Sequence, residues 1–265
     1  LQSFRAVYGP LRLRVYRGGC SFGTGAALVG ARRILPYPTT SEYQRSGPQG
    51  KPLRAPLASA RRIRQRKRHG SARKARIMSD PYFFGYGSLV NRATHGYGLA
   101  RRARLRGWRR AWRYTAFRDG PFLTAVPCAD SVIEGLVAMV PGADWRALDI
   151  REAGYARLPL GEELRIEGAD RAATQIYAVP AADTVEPPER QPILLSYIDV
   201  VFQGYLREYG AEGVARFVTT TDGWDAPVLD DRAAPLYPRH QQLDPAERAL
   251  VDRHLADLGA TIRRS

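Results

Sequence analysis

The sequence predicts an α+β fold, a mostly antiparallel sheet or small barrel with helices added late. Three observations carry this expectation. Short apolar and aromatic segments fill residues 82–179, an amphipathic helical stripe follows from Pro192, and a capped helix runs up to Gly259. The charge is divided sharply along the chain. Residues 1–77 hold 18 Lys or Arg against the single acid Glu42, so the 188 residues from Met78 carry the other 23 basic and 25 acidic groups, a net of −2. The formal charge of +15 therefore belongs to the first segment.

The elements follow from local pattern. YFFGY (82–86) is an aromatic run that ends at a Gly-Ser turn, as a buried strand does. LRGWRRAWRYTAF (105–117), PFLTAV (121–126), VIEGLVAMV (132–140), ELRI (163–166) and TQIYAV (174–179) are rich in β-branched, aromatic or alternating residues and are read as strands. ADWRALDIREA (143–153) has apolar Trp145, Ala147 and Leu148 among charges, giving one short helix between strands. From Pro192, Leu194, Tyr197, Ile198, Val201, Phe202, Tyr205, Leu206 and Tyr209 form one helical stripe that Gly210 can end. Residues 219–239 are read as irregular. Asp244 as N-cap, Pro245 at N1 and Glu247 at N3 then announce a last helix, with Leu250, Val251, His254, Leu255 and Leu258 on its apolar face.

Two domain-level expectations accompany this plan. Residues 1–77 lack sustained periodicity, are interrupted by Pro and Gly, and end in RRIRQRKRHGSARKARI, which predicts a basic, disordered extension. It is read as a solvated tail or as translated upstream sequence, in preference to a nucleic-acid arm. Residues 78–265 are long enough for one well-buried core and form the single folded domain. Cys20 and Cys128 are the only cysteines, which excludes a disulfide scaffold and fits a reducing compartment, the cytoplasm being the expected location. No run of about 18 apolar residues is present, so a membrane span is not expected.

Two segments could carry chemistry. FGYGSL (84–89) places two glycines and a serine directly after a strand, where the backbone can approach a ligand and its N–H groups can hold a carboxylate or phosphate. Alone, that pattern reads first as a tight turn. In LDIRE (148–152), Asp149 and Glu152 are three apart and share a helical face, with Arg151 beside them. A carboxylate drawn into a cleft can serve as a general base, although a solvated charged face is the commoner outcome.

In combination, the Tyr86-Gly87-Ser88-Leu89 loop, the strands, Leu148-Asp149-x-x-Glu152 and a Tyr-bearing helix resemble the γ-glutamylcyclotransferase family. The Asn that often follows the loop serine is absent, and Ala153-Gly154 replaces the glycine directly after the glutamate. LDIREAGY is similar to the form seen in the glutathione-acting ChaC branch, and residues 224–239 resemble the tails of bacterial relatives. The resemblance covers most of 82–210. It implies a small closed mixed β-barrel with surrounding helices and a cavity at the end of the first strand. It further implies that Tyr86, Gly87, Ser88 and Leu89 bind substrate, with loop N–H groups on its α-carboxylate. Glu152 would be the catalytic acid/base as the α-amine attacks its own γ-carbonyl, releasing 5-oxoproline. The expected partner is a small γ-glutamyl substrate, with no cofactor and no metal, and neither a membrane nor nucleic acid is an expected partner.

Other residues are set aside. Tyr155 and Tyr197 could line the cavity, but aromatics at such spacing are more often core, and both stay outside the assigned site. His69, His95, His240 and His254 have no ligand spacing, and His254 is expected to pack on an apolar helix face. Cys128 has no partner in sequence, and Ser88 has no neighbouring base that would make it a nucleophile. RRARLRGWRRAWR (101–113) is read as Arg alternating on a barrel exterior. Two further readings stand beside the enzyme: a non-catalytic module that binds a γ-glutamyl or other acidic ligand, and nucleic-acid binding through residues 51–77.

Overall fold

The computed structural model describes residues 80–116, 118–169 and 172–264. The predicted basic extension, 1–77, lies outside the described residues. Strand β1 (Tyr82–Gly85) lies between an antiparallel neighbour, β3 (Arg118–Met139), and a parallel one, β6 (Thr174–Ala178). The aromatic run is apolar on both sides because both faces are covered. Phe84 joins a main core with Leu105, Ile133, Leu136, Ile176 and Phe202, whereas Phe83 points the other way into a smaller cluster with Leu89, Val140, Leu148 and Tyr177.

The eight-stranded sheet runs β4-β6-β1-β3-β2-β5, where β4 is Ala156–Leu160, β2 is Arg101–Thr115 and β5 is Leu164–Ile166. Two short strands also pair with β2: β7 (Thr184–Val185) antiparallel and β9 (Thr221–Asp222) parallel. The mixed α+β character is as expected. Closure is not seen: among the described residues β4 and β5 remain the two ends of the sheet path, so it is an open, curled sheet. The segments expected as two strands at 121–126 and 132–140 are one strand, β3. Opposite Gly107, β3 carries residues 128–131, since Arg106 faces Val132 while Trp108 faces Pro127. A bulge of this kind bends both strands and increases their twist. The lower half of the β2-β3 hairpin can then pair with β1 and β5 while its upper half pairs with β7 and β9.

The same bulge corrects the expected alternation of arginines. Arg104 and Arg106 are exposed, but Arg110 is completely buried. Its Nε donates to the Tyr86 carbonyl at 3.1 Å, Nη1 to Thr220 Oγ1 at 2.7 Å, and Nη2 to the Tyr205 hydroxyl at 2.5 Å and to the Glu134 carbonyl. The guanidinium also lies 5.0 Å and 4.7 Å from the ring centroids of Tyr205 and Phe217.

Three helices complete the described fold. Helix α1 (Arg146–Arg151) is held to the smaller cluster by Leu148. Helix α2 (Leu195–Thr219) starts after strand β8 (Ile193–Leu194), and Gly210, at φ +70, interrupts it where the sequence predicted an end. Helix resumes beyond that break because Val214, Phe217 and Val218 find the core. The expected single apolar stripe is also too narrow a description. Asp199, Gln203 and Gly204 are buried as well, on sides of the helix covered by other segments. Asp199 pairs with Arg232 at 2.7 Å, and Gln203 bonds to Asn91 at 2.9 Å and Glu247 at 2.7 Å, so each buried polar group is satisfied. Helix α3 (Pro245–Asp257) carries the expected capping box between Asp244 and Glu247. His254 packs its ring edge-on against Phe202 at 5.8 Å, as its place on the apolar face suggested. Strand β10 (Val228–Asp230), within the segment read as irregular, joins β8 and β11 (Ile262–Arg264) in a small parallel sheet.

Gly204 is where α2 crosses the turn after β1. A Cβ there would lie 2.7 Å from the Asn91 nitrogen and 2.9 Å from its Cα, both backbone atoms. Gly204→Ala is expected to lower stability by about 1–3 kcal/mol, the usual cost of overpacking a core, seen as a reduced thermal midpoint.

Candidate active site

Strand β1 ends at Gly85, and the chain then turns through a single 3-10 turn, Ser88–Val90. The N–H groups of Val90 and Asn91 close this turn on the carbonyls of Gly87 and Ser88 at 3.0 and 3.1 Å. Those of Gly87, Ser88 and Leu89 precede its ladder, so the turn's own bonds do not use them. The loop is anchored from both ends. The Tyr86 carbonyl accepts from Arg110 and, at 2.9 Å, from the Tyr205 hydroxyl, while its own buried hydroxyl donates to the Tyr177 carbonyl at 2.6 Å. Downstream, the Asn91 side chain accepts from the Ala93 N–H and donates to the Val200 carbonyl, tying the loop to α2.

Glu152 arrives from a different element. It is the C-cap of α1, with φ −98 and ψ 27, and its N–H still bonds to the Leu148 carbonyl at 2.8 Å. That non-helical geometry turns the chain away after Glu152, and the two acids have different partners. Asp149 accepts from the Tyr177 hydroxyl at 2.5 Å and faces Arg157 at 3.6 Å. Glu152 instead lines a small pocket together with Tyr86, Gly87, Ser88, Leu89 and Leu123. All five residues assigned to the site from sequence therefore meet in one place.

Arg151, only 8% exposed, stitches the two segments together. Its Nε is 3.1 Å from Glu152 Oε1, its Nη2 reaches Ser88 Oγ at 3.2 Å, and its Nη1 donates to the Thr94 carbonyl at 2.9 Å. The Ser88 hydroxyl is thus a partner of a guanidinium, and the basic neighbour that would activate it as a nucleophile is not among these contacts.

Tyr155 and Tyr197, set aside as core aromatics, also line the pocket. Tyr155 follows the turn through Gly154, at φ +94, and donates to the Leu123 carbonyl at 3.0 Å. Tyr197 reaches in from the first turn of α2. Burial pushes its phenol well above the ordinary range, with the charges of Tyr237 and Glu152 adding to the effect and the Ser88 N–H acting against it. The Tyr86 phenol is raised for the same first reason, burial, and next by Glu152. Both hydroxyls are therefore neutral donors near the carboxylate. Gly87 has no room for a side chain, because a Cβ would lie 2.7 Å from the Tyr197 hydroxyl oxygen. No local signal separates Tyr197 from its buried neighbours Leu195, Ser196 and Ile198.

A second, larger cavity of about 250 Å³ adjoins the first and shares Leu123, Tyr155 and Tyr197 with it. Trp112, Phe122, Ile193, Leu229 and Tyr237 form much of its wall.

His95 supports the loop from behind. The Tyr97 N–H donates to its Nδ1 at 3.2 Å, which assigns the ring proton to Nε2, and that atom lies 3.1 Å from the Leu89 carbonyl. Burial lowers its pKa below the ordinary 6.5; the bond to Leu89 opposes this, and Arg151 and Arg92 add to the lowering. The folded state consequently binds fewer protons than the unfolded chain in acid. The contribution to stability is complete above about pH 6.5 and is lost as the pH falls through the lowered folded value. His254, also lowered by burial, acts in the same direction. Thermal unfolding is expected to shift to lower temperature between pH 7 and pH 5, and His95→Gln is expected to flatten that dependence.

No family model matches the sequence, and no curated protein matches it. Among solved structures the chain is similar to a "Gamma-glutamyl cyclotransferase", at 13% identity over 65% of this chain and 98% of that one, with a TM-score of 0.43. It is similar to the YkqA protein of Bacillus subtilis at 18% identity over 59% of this chain and 60% of that one, with a TM-score of 0.42. It is also similar to a yeast γ-glutamyl cyclotransferase described as specific to glutathione, at 15% identity over 68% of this chain and 97% of that one, with a TM-score of 0.35.

Proposed function

We propose that the protein is a γ-glutamyl cyclotransferase acting on a small γ-glutamyl peptide or amine. The observation that carries this reading is the convergence of the 86–89 loop and Glu152 in one pocket, although they come from different elements. The loop offers N–H groups, suited to the substrate's α-carboxylate. Glu152 offers a carboxylate with a guanidinium already beside it.

The reaction asks little more of a protein. The α-ammonium must lose a proton to become a nucleophile, and Glu152 is the group that takes it. The freed amine attacks the γ-carbonyl carbon, forming the ring C–N bond, and the original amide C–N bond then breaks. Of the ammonium's three protons, one stays on the lactam nitrogen. The other two pass by way of Glu152 to the departing nitrogen, which leaves as an amine carrying its extra charge. Because the nucleophile and the carbonyl belong to one molecule, holding the chain folded supplies much of the rate. The neutral hydroxyl of Tyr197 and the narrow walls around Gly87 suit that task.

Glu152→Gln preserves shape and removes the proton acceptor. Release of 5-oxoproline from γ-glutamyl compounds, followed by chromatography, is expected to fall at least about 100-fold, the lower end for loss of a general acid/base. Activity within a few-fold of wild type would sink the proposal. Gly87→Ala should also lose activity, about 10-fold or more, by displacing the Tyr197 hydroxyl from the loop, with a smaller change in thermal midpoint than Gly204→Ala.

A further inference from the structure

We infer that the larger cavity receives the departing half of the substrate, and that this half is an uncharged amine bearing an aromatic or other apolar group. The inference rests on the cyclotransferase reading, which sets the charged α-carbon end of the γ-glutamyl half at the loop and Glu152, where the inner pocket of about 30 Å³ takes no more than that end. What remains of the substrate must then extend past Leu123, Tyr155 and Tyr197, the residues common to both cavities.

The wall of the outer cavity decides what can follow. Its described lining residues are aromatic, aliphatic, Pro or Gly apart from Gln191, and none is Asp, Glu, Lys, Arg or His. Trp112, Phe122 and Ile193 are at most 5% exposed, so the wall is packed and held in place. The Trp112 and Tyr197 rings meet edge to face at 5.8 Å and the Tyr197 and Tyr237 rings at 5.0 Å, making one continuous aromatic surface. A leaving amino acid or dipeptide would bring a carboxylate into this space, and a diamine would bring an ammonium. Neither finds an opposite charge on the described wall, and whatever water it sheds against that wall is uncompensated. An apolar group gains from the same desolvation in proportion to the area covered. The size is sufficient, since a cavity of roughly 150 Å³ already holds benzene in an apolar protein interior.

The test compares substrates that share the γ-glutamyl half. γ-Glutamyl-phenethylamine and γ-glutamyl-phenylalanine differ by one carboxylate, γ-glutamyl-cadaverine ends in an ammonium, and glutathione adds a thiol and a carboxylate. With the full chain, kcat/KM for 5-oxoproline release is expected to be at least 10-fold higher for the phenethylamine compound than for each of the others. Equal rates, or preference for a charged leaving half, would overturn the inference while leaving the reaction class intact. Gln191→Arg, at the exposed edge of the cavity, supplies the missing cation and is expected to narrow the gap between the phenylalanine and phenethylamine compounds at least 3-fold; an unchanged ratio counts against the assigned path.

If no compound yields 5-oxoproline, the cyclotransferase reading falls by itself, and calorimetric binding of the same compounds decides the cavity. Tighter binding of the phenethylamine compound than of its carboxylated twin would keep the apolar assignment. Equal or absent binding would end it.

Discussion

The buried guanidinium of Arg110 is the contact on which the arrangement of this molecule depends. It bonds to backbone carbonyls at the end of β1 and in β3, and to hydroxyls at the middle and the end of α2. Burying a cation is expensive unless its donors are satisfied. Here carbonyls, hydroxyls and two aromatic faces surround it, while the nearby Glu134 carboxylate is engaged by Arg104 at 3.2 Å and Arg216 at 3.0 Å. The consequence reaches the site directly, since one of those carbonyls belongs to Tyr86. Fixing that oxygen fixes the peptide plane from which Gly87 and Ser88 depart. The 86–89 loop is therefore held by a charge in the core beneath it, and the Tyr205 hydroxyl, its pKa pushed up to about 12 mainly by burial, supports the same oxygen as a neutral donor.

How much of this was legible follows from what each residue type announces. The β1 strand and the last helix were readable because their signals are local: an aromatic run stopped by Gly, and an Asp-Pro-x-Glu cap. That residues 86–89 and Glu152 belong together was readable as a combination of two short motifs, and they line one pocket. Arg110 was not. An Arg in an Arg-rich strand signals an outer face, and only the bulge opposite Gly107, where β3 runs three residues longer than β2, changes which positions face inward. Tyr155 and Tyr197 were missed for a related reason. A tyrosine lining a pocket and one filling a core share the same spacing, and what separates them is whether another segment arrives to cover the ring. The short strands β7 to β11, two or three residues each, have no room to display a period and exist because neighbouring strands offer them partners.

The charges in the site are organised around one exchange. Arg151 binds the glutamate, the loop serine and the Thr94 backbone together, so the helix end and the loop move as one body. A salt bridge as buried as this one contributes little net stability, because desolvation offsets most of the attraction. Its value is geometric: it orients the carboxylate and keeps the Ser88 side chain turned toward Arg151. The sequence pattern Asp149-x-x-Glu152 thus divides its acids between two tasks. Asp149 holds the Tyr177 hydroxyl and faces Arg157 on the outer side, and Glu152 alone faces the pocket.

Polarity then changes abruptly across a single layer of side chains. On one side of Leu123, Tyr155 and Tyr197 are N–H groups and a carboxylate; on the other are rings and aliphatic chains without a formal charge. Under the proposed reading, a molecule spanning both would be charged at one end and apolar at the other. In such a site the polar end sets orientation and the apolar end sets which molecule remains bound long enough to react. The two tyrosines at the boundary line both cavities, and the Tyr155 hydroxyl ties that boundary to the Leu123 carbonyl. A change that enlarges the outer cavity at Tyr155 or Tyr197 therefore also alters a wall of the pocket that Glu152 lines.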